Sequence, residues 1–229
     1  MNAYLFSAGP AMRLRPLTES IPKCLLPVRG ALMIEHWLNA VFSSHEFDSV
    51  FINVHHCAEK LIRWVNIHSK HTGRKIFIID ESSRLLGTAG TLFRHGDDSD
   101  DFMAAYTDTY SDQLFNGLKY LSMAWKDNPD KPLVGLVGFP SPDDRSAGIM
   151  ETDFTGTVID FREKKERGKN YIAWAGTAFF RKDFISQLRQ EDIDLARDVF
   201  PRLCGKMAVV ANINAVDIGK DIASYERIH

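Results

Sequence analysis

The sequence predicts an α/β fold, a three-layer sandwich in which helices cover both faces of a mostly parallel, mixed sheet. Two observations predict it. Short apolar segments rich in β-forming residues recur up to residue 137, and segments with apolar residues every three or four positions lie between them. Such alternation is typical of right-handed crossovers between parallel strands, so a Rossmann-like arrangement is expected.

Each element follows from this pattern. Buried strands are predicted at residues 3–7, 49–54, 75–79, 102–106 and 133–137. Helices with one apolar face are predicted around residues 32–41, 61–65 and 114–125. Later strand-like segments at 155–161 and 172–180 predict an antiparallel addition, with a helix and a short strand after it. Because no linker or repeat is visible, residues 1–229 are predicted to form a single domain.

Composition and charge exclude several classes of function. Hydrophobic residues make up 45% and charged residues 25%, as in ordinary globular proteins. The formal net charge of −2 provides no general attraction for nucleic acid or an anionic membrane. Three widely spaced cysteines, the absence of a signal-peptide pattern and the absence of a long apolar run predict a cytoplasmic protein without membrane contact.

The loop after the first predicted strand carries the clearest chemical signal. It lies at the carboxyl end of a strand, where open α/β sheets bind ligands. Small residues let backbone N–H groups approach a phosphate closely, and here they are Ala8, Gly9 and Ala11. Cationic side chains follow at Arg13, Arg15 and Lys23. This charge favours a phosphate-binding loop over a simple turn between a strand and a helix.

Two segments in this region resemble the signature of sugar-1-phosphate nucleotidyltransferases. Residues 9–18 read GPAMRLRPLT and residues 21–28 read IPKCLLPV, against a family pattern of roughly G-x-G-T-R-L-x-P-L-T followed by P-K-x-L-x-P. Later matches fall in the family's order at Glu81, residues 86–90, 106–108, 163–164, 175–176 and 216–219. The resemblance covers nearly the whole chain and implies the nucleotide-diphospho-sugar transferase type of fold, in a short form without a β-helix domain.

The resemblance implies a role for each matching residue. Arg13 and Lys23 would be catalytic, neutralising charge during transfer, and Asp108 and Asp217 would bind the cofactor Mg²⁺. The implied nucleotide-binding residues are Ala8, Gly9, Ala11, Glu81, Gly87 and Thr88. The implied sugar-phosphate-binding residues are Glu163, Lys164, Gly148 and Gly176.

The reaction implied by the resemblance explains why these residue types occur. An oxygen of a sugar 1-phosphate attacks the α-phosphorus of a nucleoside triphosphate in line, and two anions can meet only when a metal and cations intervene. Residues 86–90 resemble the loop of mannose-1-phosphate guanylyltransferases, which favours GTP with a mannose- or heptose-type sugar and leaves UTP, dTTP and CTP open. The resemblance also implies a homo-oligomer of open subunit number.

Departures from the family pattern keep a second hypothesis open. Ala11 and Met12 replace glycine and threonine, Thr107 replaces the glycine before Asp108, and Trp174 stands where a small polar residue often faces the sugar. The alternative is a catalytically impaired regulatory module that binds a nucleotide or sugar nucleotide. The enzyme predicts Mg²⁺-dependent pyrophosphate release, whereas the module predicts nucleotide binding without release.

Overall fold

The computed structural model describes residues 1–140, 147–163 and 172–228, without the side chains of residues 71 and 72. The chain divides into two compact units. The first consists of Met1–Leu85, Ala104–Tyr120 and Val216–His229, and the second of Leu86–Met103 and Leu121–Ala215. Both units combine segments that are distant in sequence. The single domain expected over residues 1–229 stays a prediction.

The elements are numbered in chain order. The helices are α1 (Met33–Ser44), α2 (Ala58–Thr72), α3 (Gly87–His95), α4 (Asp112–Asp127) and α5 (Ile222–Glu226). The strands are β1 (Asn2–Phe6), β2 (Pro27–Val28), β3 (Ala31–Leu32), β4 (Ser49–Val54), β5 (Ile76–Asp80), β6 (Phe102–Tyr106), β7 (Thr109–Tyr110), β8 (Val134–Phe139), β9 (Gly148–Thr152), β10 (Val158–Glu163), β11 (Ile172–Phe180), β12 (Met207–Asn212) and β13 (Val216–Asp217). None of the described helices has the length and apolar character needed to cross a membrane.

The first unit contains parallel strands in the order β1, β4, β5, and β6 adjoins β1. Tyr4, Phe51 and Phe77 lie opposite one another on successive strands, and their rings stack. Helix α1 begins where the Leu32 N–H donates to the Glu35 carboxylate, at 2.7 Å. Its buried residues include Ile34, Trp37, Leu38 and Val41, which recur at helical spacing.

The second unit is largely antiparallel. Strand β9 pairs with β10, β11 pairs with both β9 and β8, and β12 runs parallel to β8. Aromatic side chains fill its core: the Trp174 ring packs edge-on against Phe161 and Phe200, and the Trp174 indole N–H donates to the Thr177 carbonyl at 2.9 Å. Trp174 is therefore a buried core residue.

The predicted α/β class with a mixed sheet is confirmed, and strands 49–54, 102–106 and 172–180 have the expected bounds. The strand expected at 155–161 instead begins at Val158. The Asp153 carboxylate accepts from the N–H groups of Thr155 and Thr157, and this turn replaces the start of the strand. Between β11 and β12, 3-10 and π-helical turns occupy much of residues 182–203, and the short helix α5 lies near the carboxyl end.

Candidate functional site

A chain of hydrogen bonds supports the loop that follows β1. The Ser7 N–H donates to the Asn53 side-chain oxygen at 2.7 Å, and the Asn53 amide donates to the Glu81 carboxylate at 3.0 Å. These residues lie after β1, within β4 and after β5. Glu81 is only 2% exposed, so the structure places this predicted nucleotide-binding residue among the supports of the loop.

Ala11 stands at the centre of this loop in the left-handed conformation, with φ of 47°. This conformation explains why the family pattern has glycine here, since a Cβ atom costs roughly 1 kcal/mol in that region. The Thr18 hydroxyl donates to the Ala11 carbonyl at 2.8 Å, and His56 Nε2 lies 2.7 Å from the Thr18 carbonyl. The loop therefore keeps a glycine-like shape with an alanine, held by two neighbours. Ala8 is buried and Gly9 is exposed beside it.

The two predicted metal ligands are brought together by a short antiparallel ladder. Strand β13 pairs with β7 so that Asp217 lies opposite Thr109, the residue after Asp108. The Ile218 N–H donates to the Asp108 carbonyl at 2.9 Å and extends this contact. Two aspartates separated by more than a hundred positions in sequence thus become neighbours.

Lys23 and Gly219 complete this arrangement. Lys23 Nζ, carried by the short turn Lys23–Leu25, donates to Asp108 Oδ2. A Cβ atom at Gly219 would lie 2.7 Å from Lys23 Nζ, 2.8 Å from Asp108 Oδ2 and 3.1 Å from Asp217 Oδ1. Charged groups from three segments therefore converge on a position where only a hydrogen atom fits. We call Lys23, Asp108, Asp217 and Gly219 the aspartate site.

The electrostatics of the aspartate site are only partly balanced. The pKa of Asp217 is raised to about 6, first because burial disfavours its charged form and second because the negative Asp108 lies nearby. The Lys23 and Arg13 charges and the Gly219 N–H, which donates to Asp217 at 2.7 Å, act in the opposite direction without cancelling the rise. An added positive charge here would stabilise both carboxylates.

This donor set suits a hard divalent cation. Mg²⁺ is commonly held by one or two carboxylates, with water and phosphate oxygens completing its shell. Across the described parts of the chain, no group of three or more His, Cys, Asp or Glu side chains is arranged to hold a metal. Asp108 and Asp217 could therefore hold such an ion only together with ligands from substrate or solvent.

Thr107 accounts for one departure from the family pattern. It is buried, its hydroxyl donates to the Phe6 carbonyl at 3.1 Å, and it lies 3.0 Å from the Ser7 hydroxyl. The residue that replaces glycine thus joins the end of β6 to the end of β1 and helps to fix the neighbouring Asp108.

The second unit contains the remaining predicted residues. Gly87 begins α3 with φ of 77°, and the Thr88 hydroxyl accepts from the Leu195 N–H at 3.0 Å. Gly148 and Glu163 lie opposite each other on β9 and β10. Gly176 has φ of 72° within an irregular stretch of β11. Lys164 lies outside the described residues.

The structure therefore brings the predicted residues together in separate groups. Lys23, Asp108 and Asp217 form one group, with the Arg13 charge close enough to affect the pKa of Asp217. Gly87 adjoins Thr88, and Gly148 adjoins Glu163. Sequence analysis missed the supporting residue Asn53 and gave no separate role to Thr18 and Gly219, which lie within the matching segments. The polar character of Asn53 inside an otherwise apolar strand was the available signal for it.

Comparisons with known proteins concern the chain as a whole. The family model described as "Nucleotidyl transferase" matches residues 2–227. The chain is 28% identical to a UTP–glucose-1-phosphate uridylyltransferase of Synechocystis, over 96% of this chain and 60% of the relative. It is 27% identical to a putative mannose-1-phosphate guanyltransferase of Sulfolobus acidocaldarius, over 89% of this chain and 54% of the relative. The chain thus spans little more than half the length of these curated relatives.

A solved structure shows the same fold. The crystal structure of HddC from Yersinia pseudotuberculosis aligns with a TM-score of 0.77 and 19% identity, covering 99% of this chain and 97% of that one. At this level of identity, the likeness supports the fold.

Proposed function

Since the chain belongs to the nucleotidyl transferase family, we propose that it joins a nucleoside triphosphate to a sugar 1-phosphate and releases pyrophosphate. The observation that carries this proposal is the convergence of Lys23, Asp108 and Asp217 around Gly219. Two carboxylates and a lysine held close together can bind a metal ion and neutralise phosphate charge, and phosphoryl transfer depends on both. The activities named for the similar proteins support the same class of reaction.

We propose that Asp108 and Asp217 hold Mg²⁺. When bound, the ion neutralises phosphate charge and orients the reacting groups. Lys23 holds its positive charge beside Asp108, where it attracts an incoming phosphate as well as the carboxylate. Arg13 adds a second positive charge to the same region. Gly9 exposes the backbone of the loop after β1, to which phosphate oxygens can bind.

The reaction needs no covalent nucleophile on the protein. The sugar-phosphate oxygen forms a bond to the α-phosphorus, and the bond from that phosphorus to the leaving pyrophosphate breaks. The chain's residues bind and orient both anions. By resemblance, Gly87 and Thr88 bind the nucleotide, and Gly148, Glu163, Lys164 and Gly176 bind the sugar phosphate. GTP with a mannose- or heptose-type sugar stays the favoured pair, and a cytoplasmic homo-oligomer is also part of the proposal.

The decisive experiment measures pyrophosphate release from each of five nucleoside triphosphates with a panel of sugar 1-phosphates and Mg²⁺. We expect one pair to react. Asp108→Asn and Asp217→Asn should each lower kcat/KM at least about a hundredfold, because each removes a charge that binds the metal. Asp48→Asn is the matched control, since Asp48 is an exposed carboxylate of the same unit that pairs with the terminal amine.

Two results would contradict the proposal. Full activity in both site variants would remove the aspartate site from the mechanism. The lack of release from any pair, with a triphosphate still raising Tm, would instead favour the regulatory module that binds nucleotide without catalysis.

A further inference from the structure

The start of helix α3 is held by a part of the chain about a hundred residues later, residues 187–203, which we call the support segment. The Ala89 N–H donates to the Ile193 carbonyl at 3.0 Å, and the Leu195 N–H donates to the Thr88 hydroxyl at 3.0 Å. A Cβ atom at Gly87 would lie 2.4 Å from that same Ile193 oxygen. The first turn of α3 therefore lies directly against the backbone around Ile193.

One arginine organises the support segment. The Arg202 guanidinium donates to both oxygens of Asp192, one of them at 2.9 Å, and also to the backbone carbonyls of Asp198 and Gln187. The Asp192 side chain is only 4% exposed, and it also accepts from the Arg189 N–H at 2.7 Å. Such a planar, forked donor fixes several acceptors at once, which a lysine cannot do. Arg202 thus joins the two ends of the support segment to its centre.

Asp198 orients the part of the segment that contacts α3. Its carboxylate accepts from the Ile193 N–H at 3.0 Å and from the Asp194 N–H at 2.8 Å. Asp198 lies within a π-helical turn, Leu195–Val199. This conformation is rare in proteins, and where it occurs it is often at a functional site. The Ile193 carbonyl is consequently directed at Ala89 by bonds on both sides of it.

We propose that the Asp192–Arg202 ion pair is a positioning pair that sets nucleotide affinity by fixing the first turn of α3. The inference rests on the proposed function, in which Gly87 and Thr88 bind the nucleotide. Asp192 and Arg202 act through Ile193 and contact no nucleotide. Weakening the ion pair lets the Ile193 carbonyl move. The turn must then become ordered when the nucleotide binds, which lowers the affinity for the nucleotide.

The kinetic test compares Arg202→Lys and Asp192→Asn with the control Arg181→Lys. Arg181 forms the same kind of two-pronged pair with Asp183 in the same unit, at 2.7 and 2.6 Å. We expect KM for the triphosphate to rise about tenfold in the first two variants, with kcat and KM for the sugar phosphate within about twofold. The control should match the wild type. A folded Arg202→Lys protein with unchanged KM overturns the inference.

Hydrogen exchange at single amides provides a test that needs no activity. In Arg202→Lys the Ala89 amide should exchange at least about tenfold faster, while Arg181→Lys leaves it protected. Unchanged protection of Ala89 in a folded variant overturns the inference. If the wild type shows no turnover while Ala89 loses protection, the positioning role stands and the proposed transfer reaction fails. Should Arg202→Lys not fold, the nearly isosteric Asp192→Asn decides by the same measurements.

Discussion

Gly219 in the aspartate site and Gly87 at the start of α3 both lie where a side chain has no room, yet for different reasons. At Gly219 the crowding atoms are the ends of charged side chains, Lys23, Asp108 and Asp217. At Gly87 the nearest atom is a backbone oxygen, that of Ile193, and φ is also positive. The first position is crowded by groups that can move aside, and the second by groups that cannot. Substitution should therefore mainly lower the reaction rate at Gly219 and mainly lower the stability of the fold at Gly87.

The largest effect is expected for Gly87→Ala. Its methyl group meets a fixed carbonyl in a backbone conformation that L-residues avoid, so unfolding free energy should fall by about 1–3 kcal/mol. Urea denaturation measures this. Gly117→Ala is the control, because nothing lies within 4 Å of a Cβ there. Equal stability of the two variants would show that the Ile193 carbonyl can shift at little cost, and it would remove the contrast with Gly219.

A smaller effect, of a different kind, is expected for Gly219→Ala. The added methyl group displaces Lys23 Nζ, the flexible end of a long side chain, so the unfolding free energy should change by less than about 1 kcal/mol. We expect kcat to fall about tenfold because Lys23 leaves the aspartate pair. Pyrophosphate release and urea denaturation of one preparation test both parts. A large loss of stability with normal kcat would reverse the comparison.

The smallest effect concerns the acid stability of the support segment. The pKa of Asp198 is held well below its usual range, chiefly by its hydrogen bond to Arg197 and then by the N–H groups of Ile193 and Asp194. A lowered pKa in the folded state stabilises the protein above the unfolded value, about 3.9, and that contribution is lost as the pH falls below it. Asp198→Asn should therefore flatten the decline of Tm below about pH 4. An unchanged acid profile would contradict this assignment.

The sequence predicted the class of fold and most of the strands because apolar periodicity depends mainly on burial. Strand 155–161 was misplaced because side-chain bonds of Asp153 form a turn, which periodicity does not report. Gly9, Lys23, Asp108 and Asp217 could be selected because the segments that carry them resemble the family pattern in the expected order. The proximity of the two aspartates depended on the pairing of β7 with β13, which two-residue strands signal poorly.

The support segment shows the limit of sequence reasoning more clearly. Arg202 and Asp192 look like ordinary surface charges in a charged stretch, and such charges are usually exposed. Only the fold shows that Asp192 is buried and that the backbone of the next residue, Ile193, contacts a turn about a hundred positions earlier. Contacts between backbone groups, such as Ile193 with Ala89, leave almost no signal in the identity of the residues.

The order of the aspartate site along the chain affects how it assembles on the ribosome. Lys23 and Asp108 emerge early, whereas Asp217 emerges only after the whole second unit has been synthesised. Nascent chains fold from their amino-terminal side, so the loop after β1 can form long before the second carboxylate arrives. A translation product that ends before β13 would contain Lys23 and Asp108 but not Asp217. The second carboxylate of the aspartate site therefore becomes available only once β13 has been synthesised.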